Sequence, residues 1–174
     1  MKKIHKAIAF YFSVLFITVV LQSCCNDSFR IIGAGTITAY DLETLSSTNE
    51  ITGTFSISQI HEVELVHVEN FSLVNSAMAL SCDYAFDNPL IADEIKISFD
   101  KDFTYKGTVI EANSDFSQLE DIQLLGWEGT IEIIFPAEFI DNIEFDNDTY
   151  TFKITSKTVD EQEFESSIGL IMNF

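Results

Sequence analysis

The chain has 174 residues and carries 28 Asp and Glu against nine Lys and Arg, a formal charge of −19 at pH 7. Such a field repels nucleic acid and anionic lipid head groups, which argues against polyanion binding. With 47% hydrophobic residues, two prolines and neither repeats nor low-complexity runs, the sequence reads as a folded domain and not a disordered tail.

In chain order, the first element is MKKIHK followed by AIAFYFSVLFITVVL and QSCC. Lys2, Lys3 and Lys6 make a positive start, and Ala7 to Leu21 is apolar except for Ser13 and Thr18. A membrane-spanning helix needs roughly 20 apolar residues, so this shorter run suits a signal peptide. Leu21-Gln22-Ser23-Cys24 then sets a bulky aliphatic residue three positions before a cysteine and a small one just before it. That spacing resembles the lipobox of bacterial lipoproteins, in which cleavage precedes the cysteine and its thiol and new amine take up acyl chains such as palmitate. Cys25 fits less well, since Gln22 would then stand at the aliphatic position. An ordinary secretory peptide and an N-terminal anchor helix are the alternatives. Each buried CH₂ adds about 0.8 kcal/mol of membrane affinity, so two or three acyl chains hold a domain essentially permanently. The expected organisation is a signal peptide over 1–23, a lipidated tether over 24–30 and a β domain over 31–174. Cleavage removes three lysines and no acid, which takes the formal charge from −19 to −22.

Beyond the tether the pattern has period two. GTITAYDL (35–42) reads as a strand and ETLSSTNE as a polar connection. ITGTFSIS (51–58) and EVELVHVE (62–69) read as two further strands with less regular apolar runs, and NSAMALSC (75–82) as a closely packed one. EIKISFD (94–100) alternates cleanly, GTVIEA (107–112) suits a short or edge strand, and TIEIIF (130–135) is stopped by Pro136, which can open a helical turn through AEFIDN. TYTFKITS and EFESSIGLIMNF form a hairpin around TVDEQE, and the apolar end of the latter predicts a last strand lying inside a sheet. Many short strands without long amphipathic helices predict an all-β, antiparallel two-sheet sandwich, immunoglobulin-like or transthyretin-like.

The lipobox together with NSAMALSCD, EIKISFDKDF and KGTVIEANSDF resembles a Bacteroidota lipoprotein family of unknown function. The resemblance implies an all-β lipoprotein of the outer envelope and brings no catalytic residues with it.

Few residues suggest chemistry. Cys25 and Cys82 could pair in an oxidising compartment, closing a long loop worth about 4 kcal/mol on the chain-entropy model. Cys82 otherwise reads as a free thiol among apolar strand residues. His61 and His67 lie about 20 Å apart along an extended strand, too far to share a metal, and read as ordinary polar side chains. Asp100 with Asp102, and Asp146 with Asp148, alternate as calcium ligands can, but neither stretch continues as an EF-hand, and Asx-rich turns give the same pattern. No carboxylate pair, nucleophile elbow or dinucleotide fingerprint stands out. Trp127, between Gly126 and Gly129 in LLGWEGT, reads as a loop residue that either stacks on a ligand or caps the core.

These readings predict a membrane-anchored, non-catalytic lipoprotein domain, a binding or structural module of the bacterial outer envelope without cofactor other than a possible calcium. The alternatives are an accessory subunit capturing glycan or protein for a surface uptake system, and a carboxylate- or metal-dependent hydrolase. An exposed Trp127 with an aromatic neighbour would favour glycan capture.

Overall fold

The computed structural model describes residues 27–67, 85–146 and 148–173. The chain divides into two units, residues 1–29 with 65–87, and residues 30–64 with 88–174. The thirteen strands among the described residues are β1 (Asp27–Asp41), β2 (Ser46–Ser47), β3 (Glu50–Ile51), β4 (Phe55–His67), β5 (Ala85–Phe86), β6 (Lys96–Phe99), β7 (Phe103–Tyr105), β8 (Thr108–Ile110), β9 (Gln123–Trp127), β10 (Thr130–Phe135), β11 (Ile143–Glu144), β12 (Thr149–Lys157) and β13 (Glu163–Met172). In the first unit, Ser28 and Phe29 pair in parallel with Ala85 and Phe86, and the two phenylalanine rings lie 5.9 Å apart.

The second unit is the expected all-β, two-sheet sandwich. One sheet has the order β2-β1-β4-β10-β9, the other β3-β13-β12-β6, and a small third sheet has the order β11-β7-β8. Alternation decides which side chains face inward. Along β12, Tyr150, Phe152 and Ile154 are buried while Thr151, Lys153 and Thr155 between them are not. Their counterparts on the first sheet are Phe55 and Ile57 of β4 with Ile131, Ile133 and Phe135 of β10, all part of one core. The sheets meet where Phe135 and Phe152 cross edge-to-face at 5.9 Å. Phe99 is the busiest ring, within 5.2–5.7 Å of Phe103, Phe116, Phe145, Tyr150 and Phe152.

Several expectations change. Residues 27–30, read as tether, already belong to β1, because Phe29 finds a ring partner and Ser28 a strand partner. The two strands expected over 51–58 and 62–69 are largely one, β4, while Ile51 belongs to the short β3 on the other sheet. NSAMALSC lies outside the described residues. Other expectations hold. The last strand is interior, between β12 and β3, and Pro136 caps one helical turn, Ala137–Ile140.

One glycine is obligatory. Gly35 has φ of +67°, and a Cβ there would stand 1.8 Å from the Ile60 carbonyl oxygen, so only glycine lets β1 pass β4 so closely.

Truncating the central ring should be costly. Phe99→Ala is expected to lose about 3–5 kcal/mol of stability by urea unfolding, against less than about 0.5 kcal/mol for the exposed Val109→Ala. Comparable losses for the two would mean that the aromatic cluster does not hold the sheets together.

Candidate functional site

The hairpin joining β9 to β10 turns on Glu128 and Gly129, whose φ values are +42° and +81°. Positive φ at both central residues marks a two-residue turn whose twist matches the flanking strands. The turn is fastened from behind. The carbonyl oxygen of Gly129 accepts from the backbone N–H of His61 and from its Nδ1–H, each at 2.9 Å. A carbonyl can only accept, so the proton resides on Nδ1 and Nε2 presents a lone pair. That lone pair accepts from the Ser156 hydroxyl at 2.9 Å, across the sandwich on β12. The Phe164 ring meets the imidazole edge-on at 5.7 Å. Gln59, two residues before His61 on the same inward face, donates to the Ala34 carbonyl at 2.8 Å, while its own Oε1 is buried with no hydrogen-bond partner. Burial pushes the imidazole pKa below its usual value, and the bond to Gly129 works weakly against that.

A serine hydroxyl on a histidine nitrogen is the geometry of an activated nucleophile. Here Ser156 is 0% and His61 3% exposed, so the hydroxyl is sealed between the sheets and the pair acts as a polar rivet.

On the opposite, outward face of this sheet lies an apolar row. Trp127 pairs with Thr130, and Thr130 with Ile60; one step along, Leu125 pairs with Glu132. Trp127 is 48%, Ile60 60% and Leu125 45% exposed. With strands about 4.8 Å apart, Trp127 and Ile60 stand roughly 10 Å from one another on one surface. Glu128, Glu132 and Glu62 border it, and β9 is the sheet's edge.

Trp127 is therefore the last residue of β9 and not a loop residue, and neither caps the core nor has a register-paired aromatic beside it. Gly126, which suggests a loop in the sequence, lies within the strand, where its missing side chain leaves room for the tip of Ile95, 2.6 Å from where a Cβ would stand. The rivet has no sequence signal, since His61 and Ser156 are 95 residues apart.

The two acidic stretches do come together. Lys101 bonds Asp148, whose carboxyl is held below the usual carboxylate range chiefly by that ammonium. Asp100 accepts from the Thr151 N–H at 2.7 Å and Asp102 from the Ala112 N–H at 2.7 Å. Asp146 contributes its backbone N–H to the Tyr150 hydroxyl at 3.0 Å. These are turn-closing roles, and among the described residues no three His, Cys, Asp or Glu converge as a metal-ligand set. Cys24, Cys25 and Cys82 lie outside the described residues.

No protein-family model and no curated protein matches the chain. Among solved structures it is similar to one titled "BspA_C_mut", at 10% identity and a TM-score of 0.26, over 83% of this chain and 46% of that one. The chain thus spans less than half the length of that structure, and the fold class rests on the strands themselves.

The rivet makes stability depend on pH. With its folded pKa below the unfolded value, His61 binds fewer protons in the folded state, so its contribution is full above about pH 6.5 and falls as the pH drops below it. The melting temperature is expected to fall between about pH 7.5 and 5.5, and His61→Gln to flatten that interval. An unchanged slope in the variant would place the titrating group elsewhere.

Proposed function

We propose that this chain is a lipoprotein of the bacterial outer envelope, anchored through acyl chains on Cys24, whose sandwich works as a non-catalytic module that binds another protein. The resemblance of its N-terminus and strand motifs to Bacteroidota lipoproteins supports the anchor. The observation that carries the binding role is the exposed row of Trp127, Leu125 and Ile60. Large apolar side chains brought together on one surface and rimmed by acids mark an interaction site more than they mark an ordinary surface.

Protein capture is favoured over glycan capture. A sugar platform needs aromatic faces beside hydrogen-bonding groups, whereas the neighbours of Trp127 in register are Thr130 and, one strand on, Ile60. Aliphatic neighbours suit a partner's apolar side chains.

Palmitate labelling of the chain in a bacterial host tests the anchor. Labelled membrane-bound product is expected from the native sequence, and Cys24→Ser is expected to abolish the label and leave the signal peptide uncleaved. Label surviving in Cys24→Ser but lost in Cys25→Ser would move the anchor by one residue. No label on the native chain would remove the lipoprotein reading altogether.

A further inference from the structure

We propose that the open edge of β9 takes up an extended, basic segment of a partner protein as an additional strand, which rests on the protein-capture reading and gives it a binding mode. Strand edges present rows of unpaired N–H and C=O groups and are ordinarily short, covered, charged or interrupted by proline. Of the other strands that end a sheet's order, four are short and one is covered. Strands β2, β3 and β11 have two residues each and β8 three. The edge of β6 is covered by residues 113–116. Phe116 N–H bonds the Ile97 carbonyl, Asn113 N–H the Phe99 carbonyl, and Asp115 accepts from Ile97 N–H.

The five residues of β9 pair with β10 on one side, and among the described residues no backbone hydrogen bond reaches Gln123–Trp127 from the other. The strand contains no proline, lysine or arginine, and two of its five side chains, Leu125 and Trp127, are large, apolar and about half exposed. Such an edge offers backbone pairing for affinity and an apolar row for side-chain selection, the two parts of recognition by strand addition.

Charge selects the occupant. Glu120 and Asp121 precede the strand, Glu128 follows it, and Glu132 stands beside Leu125 on β10. Lys106 offsets only part of this, bonding both Glu120 and Asp121. A second copy is the poorer fit. Two-fold pairing of β9 with itself, centred on Leu125, brings Glu128 of each copy beside Asp121 of the other, within the screening length of about 8 Å. A segment alternating apolar residues with Lys or Arg instead lays its apolar side chains along Leu125 and Trp127, while its cations, turned to the other face by alternation, answer Glu120 and Glu128 at the strand's two ends and not Glu132.

Trp127 is the chain's single tryptophan and reports on its own surface. Full-length protein in detergent is titrated with a synthetic peptide of about eight residues alternating Val and Lys. Tryptophan emission and amide hydrogen exchange are followed. The expected result is a blue shift of the emission with new protection confined to the Gln123–Trp127 region. A Val–Glu peptide and a Val–Lys peptide N-methylated on its backbone should do neither, and Leu125→Lys should weaken binding about tenfold or more while leaving the fold intact. Equal binding of the N-methylated peptide, or protection absent from β9, would overturn strand addition. Protection of β9 without peptide, together with a dimer in sedimentation, would overturn it in favour of a second copy. Palmitate labelling at Cys24 is unaffected by any of these results, so the anchor and the edge fail separately. Failure of the Val–Lys peptide while a protein partner still depends on Trp127 would overturn the edge mode but leave protein capture standing.

Discussion

The Gly129 carbonyl is where the sandwich is joined to its hairpin. It takes two hydrogen bonds from His61, and the same imidazole takes one from Ser156 on the facing sheet. Three elements, β4, the β9–β10 turn and β12, are thereby fixed by one side chain. The positive φ of Glu128, costly for a residue other than glycine, is tolerated because its neighbour is held from behind. The position of Trp127 follows from that turn, and with it the exposed row.

The core is built unequally along its length. Around Phe99 it is a stack of aromatic rings, where burial and ring contacts stabilise without directional demands. Around His61 it is polar, with Gln59, Ser156 and Thr158 all buried. A typical hydrogen bond nets only about 1 kcal/mol, while an unpaired buried group costs about 1–3 kcal/mol. The unpartnered Gln59 Oε1 can therefore cancel much of what one of its neighbours contributes. The polar end adds little stability but much register. A slip of β4 by one residue against β10 would turn His61 outward and strand both the Gly129 carbonyl and the Ser156 hydroxyl.

The same polarity explains what could be read in the sequence. The hairpin of β12 and β13 was legible because Tyr150, Phe152 and Ile154 alternate with Thr151, Lys153 and Thr155, and nothing else competes for the pattern. The continuity of β4 was not, since Gln59 and His61 occupy inward positions where the apolar rhythm should persist, so one strand looked like two. Strand β9 was hidden by Gly126, which resembles loop punctuation but makes room for Ile95. The acidic pairs Asp100 with Asp102 and Asp146 with Asp148 stand out in the sequence, but not that Lys101 reaches Asp148 across them or that backbone amides occupy Asp100 and Asp102. Of the site itself, Trp127 could be singled out from composition. Its partners Ile60 and Leu125, and the histidine behind them, depend on strand register, which no local pattern encodes.

An apolar, uncapped edge is ordinarily a hazard for aggregation. A common protection of edge strands, a lysine or proline within the strand, is missing from β9, and the flanking acids take its place. Charges more than a screening length of about 8 Å away count for little at physiological salt, so the effective ones are Glu120, Asp121, Glu128 and Glu132 around the strand and not the total of −19. These four oppose another copy of this chain more than they oppose a basic strand. Placing the protective charge on the flanks rather than within the strand leaves the backbone and the apolar row free, which a gatekeeper lysine at Leu125 would not. Acidity around β9 thus has a local role in the proposed mode: it lets an open edge persist while biasing what closes it.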